Sequence, residues 1–284
     1  MMWGENVKKM MPKKLLEKRL VEMIEEDVQS YDLTSAFMPQ KRVAAVIKTN
    51  EDCIVSGIYE VSILFGMFGI DVVESKKDGD FVKRGGTIFR ISGNSREMLT
   101  AERTALNILS RMSGKSTQIK GLIDRAKAAN PRIKVASSRK TTPLFRYFEK
   151  MGVSVGGGDT HRMSLNDCIM LKDNHLKVFG DIEKAIKAAK ENASFAHKIE
   201  VEVENKKDAI KAARLGVDII MFDNMPPEEI KTAIKELGAL RKNVILEASG
   251  GITLDNIADY AKTGVDVVSV GKLNNITDMS LSIT

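Results

Sequence analysis

Apolar positions in the first third of the chain recur first at helical and then at strand spacing. Leu16, Leu20, Met23 and Ile24 fall four, three and one apart, which predicts an amphipathic helix over residues 12–28. From about 41 to 91 β-prone runs take over, RVAAVIKT, GIDVVESK and DGDFVKRGGTIFRISG, whose Asp-Gly and Gly-Gly pairs read as tight turns. Between them, Tyr59–Phe68 is apolar enough for a buried helix. A longer helix is predicted over about 96–129, broken or kinked near Gly114. These elements make residues 1–113 a first domain mixing helices and strands.

After Pro131 the rhythm changes. IKVASS, CIMLK, KIEVEV, VDIIMF, NVILEAS and VDVVSV alternate with DIEKAIKAAKENA, NKKDAIKAARLG, PPEEIKTAIKEL and TLDNIADYAKTG. Alternation of Val/Ile-rich runs with helical stretches marks parallel βα units. Six strands in roughly 150 residues fall short of the eight in a full barrel of ~250 residues. The expected fold class is therefore α/β, with an incomplete, six- to seven-stranded β/α barrel over 114–273 and a short segment, 274–284, returning to the first domain.

In such barrels the chemistry gathers at the carboxyl ends of the strands. Reading off those ends gives Arg139 and Lys140; Lys172, Asp173, Asn174 and His175; Glu202 and Glu204; Asp223 and Asn224; Ser249, Gly250 and Gly251; and Gly271. Any one of these suits an ordinary solvated strand end, but nearly every strand stops in a reactive or ligand-binding residue. Arg139, Lys140, His161, Arg162 and Lys172 fall in one stretch. Arginine forks match carboxylates and compact lysine charges suit phosphates, so the target reads as a polyanion. ASGGI and VSVGKL, after the last two strands, offer glycine amides for a phosphate. Gly156–Gly158 lack the strand-turn-helix context of a dinucleotide fingerprint. KIEVEVE puts Glu200, Glu202 and Glu204 on one strand face. Glu202 with Asp223 suits Mg²⁺ shared with substrate phosphates, whereas Glu200 and Glu204 read as partners of nearby lysines. His161, His175 and Cys168 match no zinc spacing.

Composition narrows the picture. The 284 residues are 43% hydrophobic and 29% charged, with 44 Lys and Arg against 38 Asp and Glu, a net charge of +6. That excess suits an anionic ligand without requiring a nucleic acid, and with 5% aromatics and one Trp there is little for base stacking. Two distant cysteines, Cys53 and Cys168, exclude a disulfide framework. The N-terminal run is broken by Lys and Pro before reaching signal or membrane-spanning length, so a cytoplasmic location is expected.

Over nearly its whole length the chain resembles the quinolinate phosphoribosyltransferases, of the type II phosphoribosyltransferase fold. The motifs are EDVQSYDLTS, DGDFVKRGG, ERTALNILSRMSG, SRKTTP, EKMGVSVGGGDTHRMSLNDCIMLKDNH, IEVEVEN, IMFDN, LEASGGI and TGVDVVSVGKL. The resemblance implies an N-terminal α/β sandwich ahead of the barrel and a homodimer or higher oligomer. It implies that quinolinate is gripped by Arg139, His161, Arg162 and Lys172, with Arg103 lent by the partner subunit. It further implies Lys140 and Lys172 near the phosphates, Glu202 and Asp223 around ribose and Mg²⁺ pyrophosphate, and Ser249, Gly250, Gly251 and Gly271 at the 5′-phosphate. The implied reaction takes quinolinate and phosphoribosyl pyrophosphate to nicotinate mononucleotide, pyrophosphate and CO₂. A same-fold relative acting on nicotinate or another aromatic acid, such as the molybdenum-transport-associated proteins, is the alternative. Leu144, where the family usually has glycine, Lys115 in SGKST and Tyr31 before DLT depart from the pattern.

Overall fold

The structure is a computed structural model and describes residues 11–284. In chain order its elements are α1 (Lys13–Val28), α2 (Leu33–Phe37), β1 (Arg42–Thr49), β2 (Cys53–Ile54), α3 (Ile58–Met67), β3 (Asp71–Ser75), β4 (Phe81–Val82), β5 (Thr87–Asn94) and α4 (Ser95–Ala129). Then come β6 (Lys134–Ser137), α5 (Arg146–Val155), β7 (Ile169–Leu171), α6 (Asp173–Phe179), α7 (Ile182–Asn192), β8 (Ile199–Val203), α8 (Lys206–Arg214) and β9 (Ile219–Asp223). The last are α9 (Pro227–Leu237), β10 (Ile245–Ser249), α10 (Ile257–Ala261), β11 (Val267–Val270) and β12 (Met279–Ile283).

The described chain divides into two compact units. One takes the residues up to Ile119 with Tyr147–Gly157 and Asn274–Thr284; the other takes Lys120–Arg146 and Gly158–Leu273. In the first, an antiparallel sheet runs β12-β1-β5-β3, with Ala45 facing Ile283 on one side and Ile91 on the other. Its apolar positions are buried against helices: Leu16 and Leu20 of α1, Leu64 and Phe65 of α3, and Phe89 of β5 are fully enclosed. Phe65 and Phe89 meet edge to face at 5.5 Å.

The expected break near Gly114 does not occur: α4 is one helix of 35 residues. Glycine is there for close approach, since a Cβ at position 114 would lie 2.2 Å from the carbonyl oxygen of Asn275. Gly156, first of the three consecutive glycines, is likewise a packing residue, with its would-be Cβ 2.5 Å from the Ser116 carbonyl. Lys115 is buried in this same unit and pairs with Glu149 at 3.9 Å.

The second unit carries a six-stranded sheet in the order β6-β11-β10-β9-β8-β7, with every named pairing parallel. Its strands are buried on the side packed by α7, α8 and α9, whose Ile186, Ala209, Ala212, Ile230 and Ala233 are fully enclosed. The alternate residues face the other way: Glu200 and Glu202 on β8, Met221 and Asp223 on β9, Glu247 and Ser249 on β10. Beyond the last strands, a bridge joins Ala136 of β6 to Asp159. This is the incomplete barrel expected from the strand count, with all strand ends on one edge.

Candidate active site

At the carboxyl edge of β7, Lys172 forms the N-cap of α6, and its side chain meets Glu202 of β8 in an ion pair. Burial pushes the Glu202 carboxyl up, while the hydrogen bond and charge of Lys172 oppose it and Asp223 adds to the rise. Next in the sheet, Asp223 accepts a hydrogen bond from Asn224 Nδ2 at 2.9 Å. Asn224 has φ +54°, and its amide donates to the Ser249 carbonyl at 2.9 Å. Gly250 (φ +93°) is required here, because a Cβ would come within 2.3 Å of Asn224 Oδ1. Asn256 holds the same glycine loop by donating to the Gly251 carbonyl at 3.0 Å. One strand further, Gly271 leaves room for Lys140, whose Nζ would be 3.3 Å from a Cβ at that position. Lys140, which follows β6, is thereby laid beside the end of the neighbouring strand β11.

The cations form a second group. Arg139 follows β6 with its Nε buried and without a partner. Burial, and then the Arg162 and Arg146 charges, hold its pKa below the usual arginine range. Arg162 donates to the Cys168 carbonyl at 3.3 Å and to Met170 Sδ at 3.1 Å. Arg146 donates to Thr141 Oγ1 and to the Met163 carbonyl, both at 3.1 Å, tying the SRKTTP loop to the loop of His161 and Arg162. Sequence reasoning missed Arg146 because it scored strand ends, and this residue opens a helix. A guanidinium under the charges of two others, with a buried unpaired donor of its own, is an arrangement that an anion relieves.

His161 lies beneath this group. Its Nε2 is 3.2 Å from Glu247 Oε2 and 3.5 Å from Glu200 Oε2, and its Nδ1 accepts from the Arg162 amide at 2.7 Å. The lysine partner expected for Glu200 is thus replaced by a histidine 39 positions earlier (200 − 161). Parity along β8 was legible, but a partner supplied by a distant loop was not. Burial disfavours the charged ring, as does the Arg162 amide aimed at Nδ1, while hydrogen bonds to both glutamates and their charges push its pKa up. His175 caps α6 by accepting from the Lys172 amide at 3.0 Å, and His197 is exposed. Glu204 is exposed too. Arg103 is exposed on α4, in the other compact unit.

The sequence matches "Quinolinate phosphoribosyl transferase, N-terminal domain" over residues 32–113 and the C-terminal domain of the same family over 116–282. A probable nicotinate-nucleotide pyrophosphorylase [carboxylating] of Archaeoglobus fulgidus is 48% identical over 240 residues, covering 84% of this chain and 92% of that protein. One of the same name from Methanothermobacter thermautotrophicus is 43% identical over 269 residues, covering 92% and 96%. Among solved structures, NadC from Streptococcus pyogenes superposes with a TM-score of 0.88 at 35% identity, covering 96% of this chain and 98% of that one. Human nicotinic acid phosphoribosyltransferase, at 11% identity and a TM-score of 0.54, shares the fold alone. With both halves matched and near-complete coverage of relatives well above 30% identity, the chain belongs to the quinolinate phosphoribosyl transferase family.

Proposed function

We propose that the carboxyl-edge cluster transfers the phosphoribosyl group of phosphoribosyl pyrophosphate to quinolinate, releasing pyrophosphate and CO₂ and leaving nicotinate mononucleotide. The observation that carries this reading is the cation group. Arg139 and Arg162 each offer a planar fork, and the charge of Arg146 adds to theirs, which is more positive charge than one carboxylate balances. A pyridine dicarboxylate supplies two negative groups on one rigid ring. We assign its grip to Arg139, Arg162 and Lys172, with His161 below them.

Departure of pyrophosphate builds positive charge on the ribose ring. Glu202 and Asp223, on adjacent strands, are the acids that stabilise it, while Lys140 and Lys172 take up charge on the leaving phosphates. The amides of the Ser249–Gly251 loop and Gly271 suit the 5′-phosphate. Once the ring nitrogen carries the ribose, the C–C bond to the neighbouring carboxylate breaks, and its electron pair stays on the ring carbon, stabilised by the adjacent cationic nitrogen, as CO₂ leaves. A proton then replaces it on carbon. Glu202 and Asp223 also fit Mg²⁺: both offer hard oxygens, and the Asp223 charge adds to the cost of ionising Glu202. Glu202 and Asp223 would hold it beside the substrate phosphates, where it would supply neutralising charge for the leaving group.

A homodimer in which Arg103 completes the partner's cation group belongs to the same reading, supported by the exposure of Arg103 on α4. Free thiols at Cys53 and Cys168 suit a reducing compartment such as the cytoplasm. Among the described residues no helix is long and apolar enough to cross a membrane. Incubation of the purified protein with Mg²⁺, phosphoribosyl pyrophosphate and either quinolinate or nicotinate tests the assignment. CO₂ and nicotinate mononucleotide are expected from quinolinate; product from nicotinate alone would replace the dicarboxylate with a monocarboxylate.

A further inference from the structure

Two buried carboxylates meet at one imidazole nitrogen. Glu200 on β8 is fully enclosed, and Glu247 on β10 is 2% exposed. Each directs Oε2 at His161 Nε2, and each keeps a buried Oε1 without a protein partner. Such a pair is costly in an apolar setting, and uncharged residues of similar volume are commonly neutral or stabilising in its place. A purely structural barrel floor therefore has no need of two glutamates.

What they hold is a strained residue. His161 has φ +50°, in the left-handed region, where a residue other than glycine costs on the order of 1–3 kcal/mol. The ring is pinned from both sides, by the glutamates at Nε2 and by the amide of Arg162 at Nδ1. The His161 amide in turn donates to Asp159 Oδ1 at 2.7 Å. Glu200 also lies 3.9 Å from the Cys168 thiol, and the Cys168 carbonyl receives the Arg162 guanidinium at 3.3 Å. Both the backbone and the guanidinium of Arg162 are thus tied to the same carboxylate pair through one intermediate residue each. Burial, with the Glu247 charge, pushes the Glu200 carboxyl up, while the hydrogen bond and charge of His161 and the charge of Arg162 oppose that rise.

We propose that Glu200 and Glu247 are positioning residues for the dicarboxylate substrate: by clamping the His161 ring they hold Arg162 in place against repulsion from Arg139. The proposal rests on the assignment of Arg139 and Arg162 to that substrate. A metal on the same three side chains is disfavoured by the ring itself. With an N–H donor aimed at Nδ1, the neutral ring keeps its proton on Nε2, where a metal would have to bind.

The groups facing the ring are Glu200 and Glu247 from the strands, Asp159 and Arg162 from its own loop, and Cys168 beyond Glu200. A cavity of about 1000 Å³ reaches Glu200 and Glu247 from the amino ends of the strands, with Lys134, Lys198 and Arg241 in its wall. The carboxylate charges dominate because they are closest.

Glu200→Gln and Glu247→Gln, each isosteric, are compared with Glu247→Asp, which keeps the charge. Expected in both Gln variants is a rise of about tenfold in KM for quinolinate, the effect of ~1.4 kcal/mol. The KM for phosphoribosyl pyrophosphate changes little, the melting temperature is unchanged or higher, and Glu247→Asp recovers part of the loss. In ¹⁵N-histidine spectra, where three histidines are readily assigned, the titration of His161 moves to lower pH than in wild type. An unchanged quinolinate KM, an equal loss for both substrates, or a His161 titration unmoved in both Gln variants overturns the clamp. A wild-type protein that ignores quinolinate overturns the assigned reaction instead, and the ring titration then decides the clamp alone.

Discussion

Glu60 sits on α3 with 3% of its surface exposed, and burial together with the Asp78 charge pushes its pKa up to about 7. Unfolded, the same carboxyl ionises near 4.5. Between those values the folded chain binds the extra proton, so stability falls as the pH rises through the window. The contribution is fully present below about 4.5 and gone above about 7, and amounts to roughly 3 kcal/mol. Glu60→Gln stays neutral throughout. Its melting temperature relative to wild type should climb between pH 5 and pH 8 by several degrees, on the order of 2 °C per kcal/mol for a chain of this size. A difference independent of pH would show that Glu60 does not titrate in that range. Residues of this kind were the least legible in the sequence. Glu200 shared the inward parity of Glu202, but its partner came from the loop that precedes β7 in the chain. The strand-end residues read more plainly, because β8 and β9 register Glu202 beside Met221 and the next inward position is Asp223.

Elements were legible where burial fixes the pattern. β1, β5 and the six parallel strands lie where apolar runs placed them, since a strand packed by helices cannot tolerate charge on its covered side. α2, α5 and α6 were not foreseen: α2 and α6 are short and begin at polar caps, and α5 is buried continuously from Tyr147 to Val153, with no exposed face in that run to mark a period. The turn before α5 is instructive. Phe145 N–H donates to the Thr142 carbonyl at 3.1 Å, with Pro143 second and Leu144 third at φ +62°. That is the pattern of a type II turn, whose third position favours glycine. Leu144 is 90% exposed and has no packing to offset the strain. Leu144→Gly relieves a left-handed cost of ~1–2 kcal/mol and gives back up to ~1 kcal/mol through greater freedom of the unfolded chain. A gain of a few tenths to ~1 kcal/mol is therefore expected on denaturant unfolding, with no gain for Leu144→Ala. Equal gains in both variants would place the effect in the leucine side chain rather than in the backbone.

At the scale of the whole molecule the charge excess is modest, yet the cation group at the barrel edge is concentrated, and only assembly decides whether its three arginines suffice. Strand ends and motifs made the barrel chemistry readable because those residues are neighbours through the sheet. A contribution from a second chain leaves no periodicity, and Arg103 stood out through family resemblance alone. Complementation separates the two possibilities. Arg103→Ala and Glu202→Gln proteins are each expected to be nearly inactive. If Arg103 serves the partner's site, a mixed dimer has one site with both defects and one with neither. Random exchange of equal amounts makes half the dimers mixed, so about a quarter of wild-type activity returns. If Arg103 serves its own chain, every site in every dimer carries one defect and nothing returns. Recovery that scales with the mixed fraction, measured by CO₂ release after subunit exchange, would identify the dimer as the catalytic unit; absence of recovery despite demonstrated exchange would assign Arg103 to its own barrel.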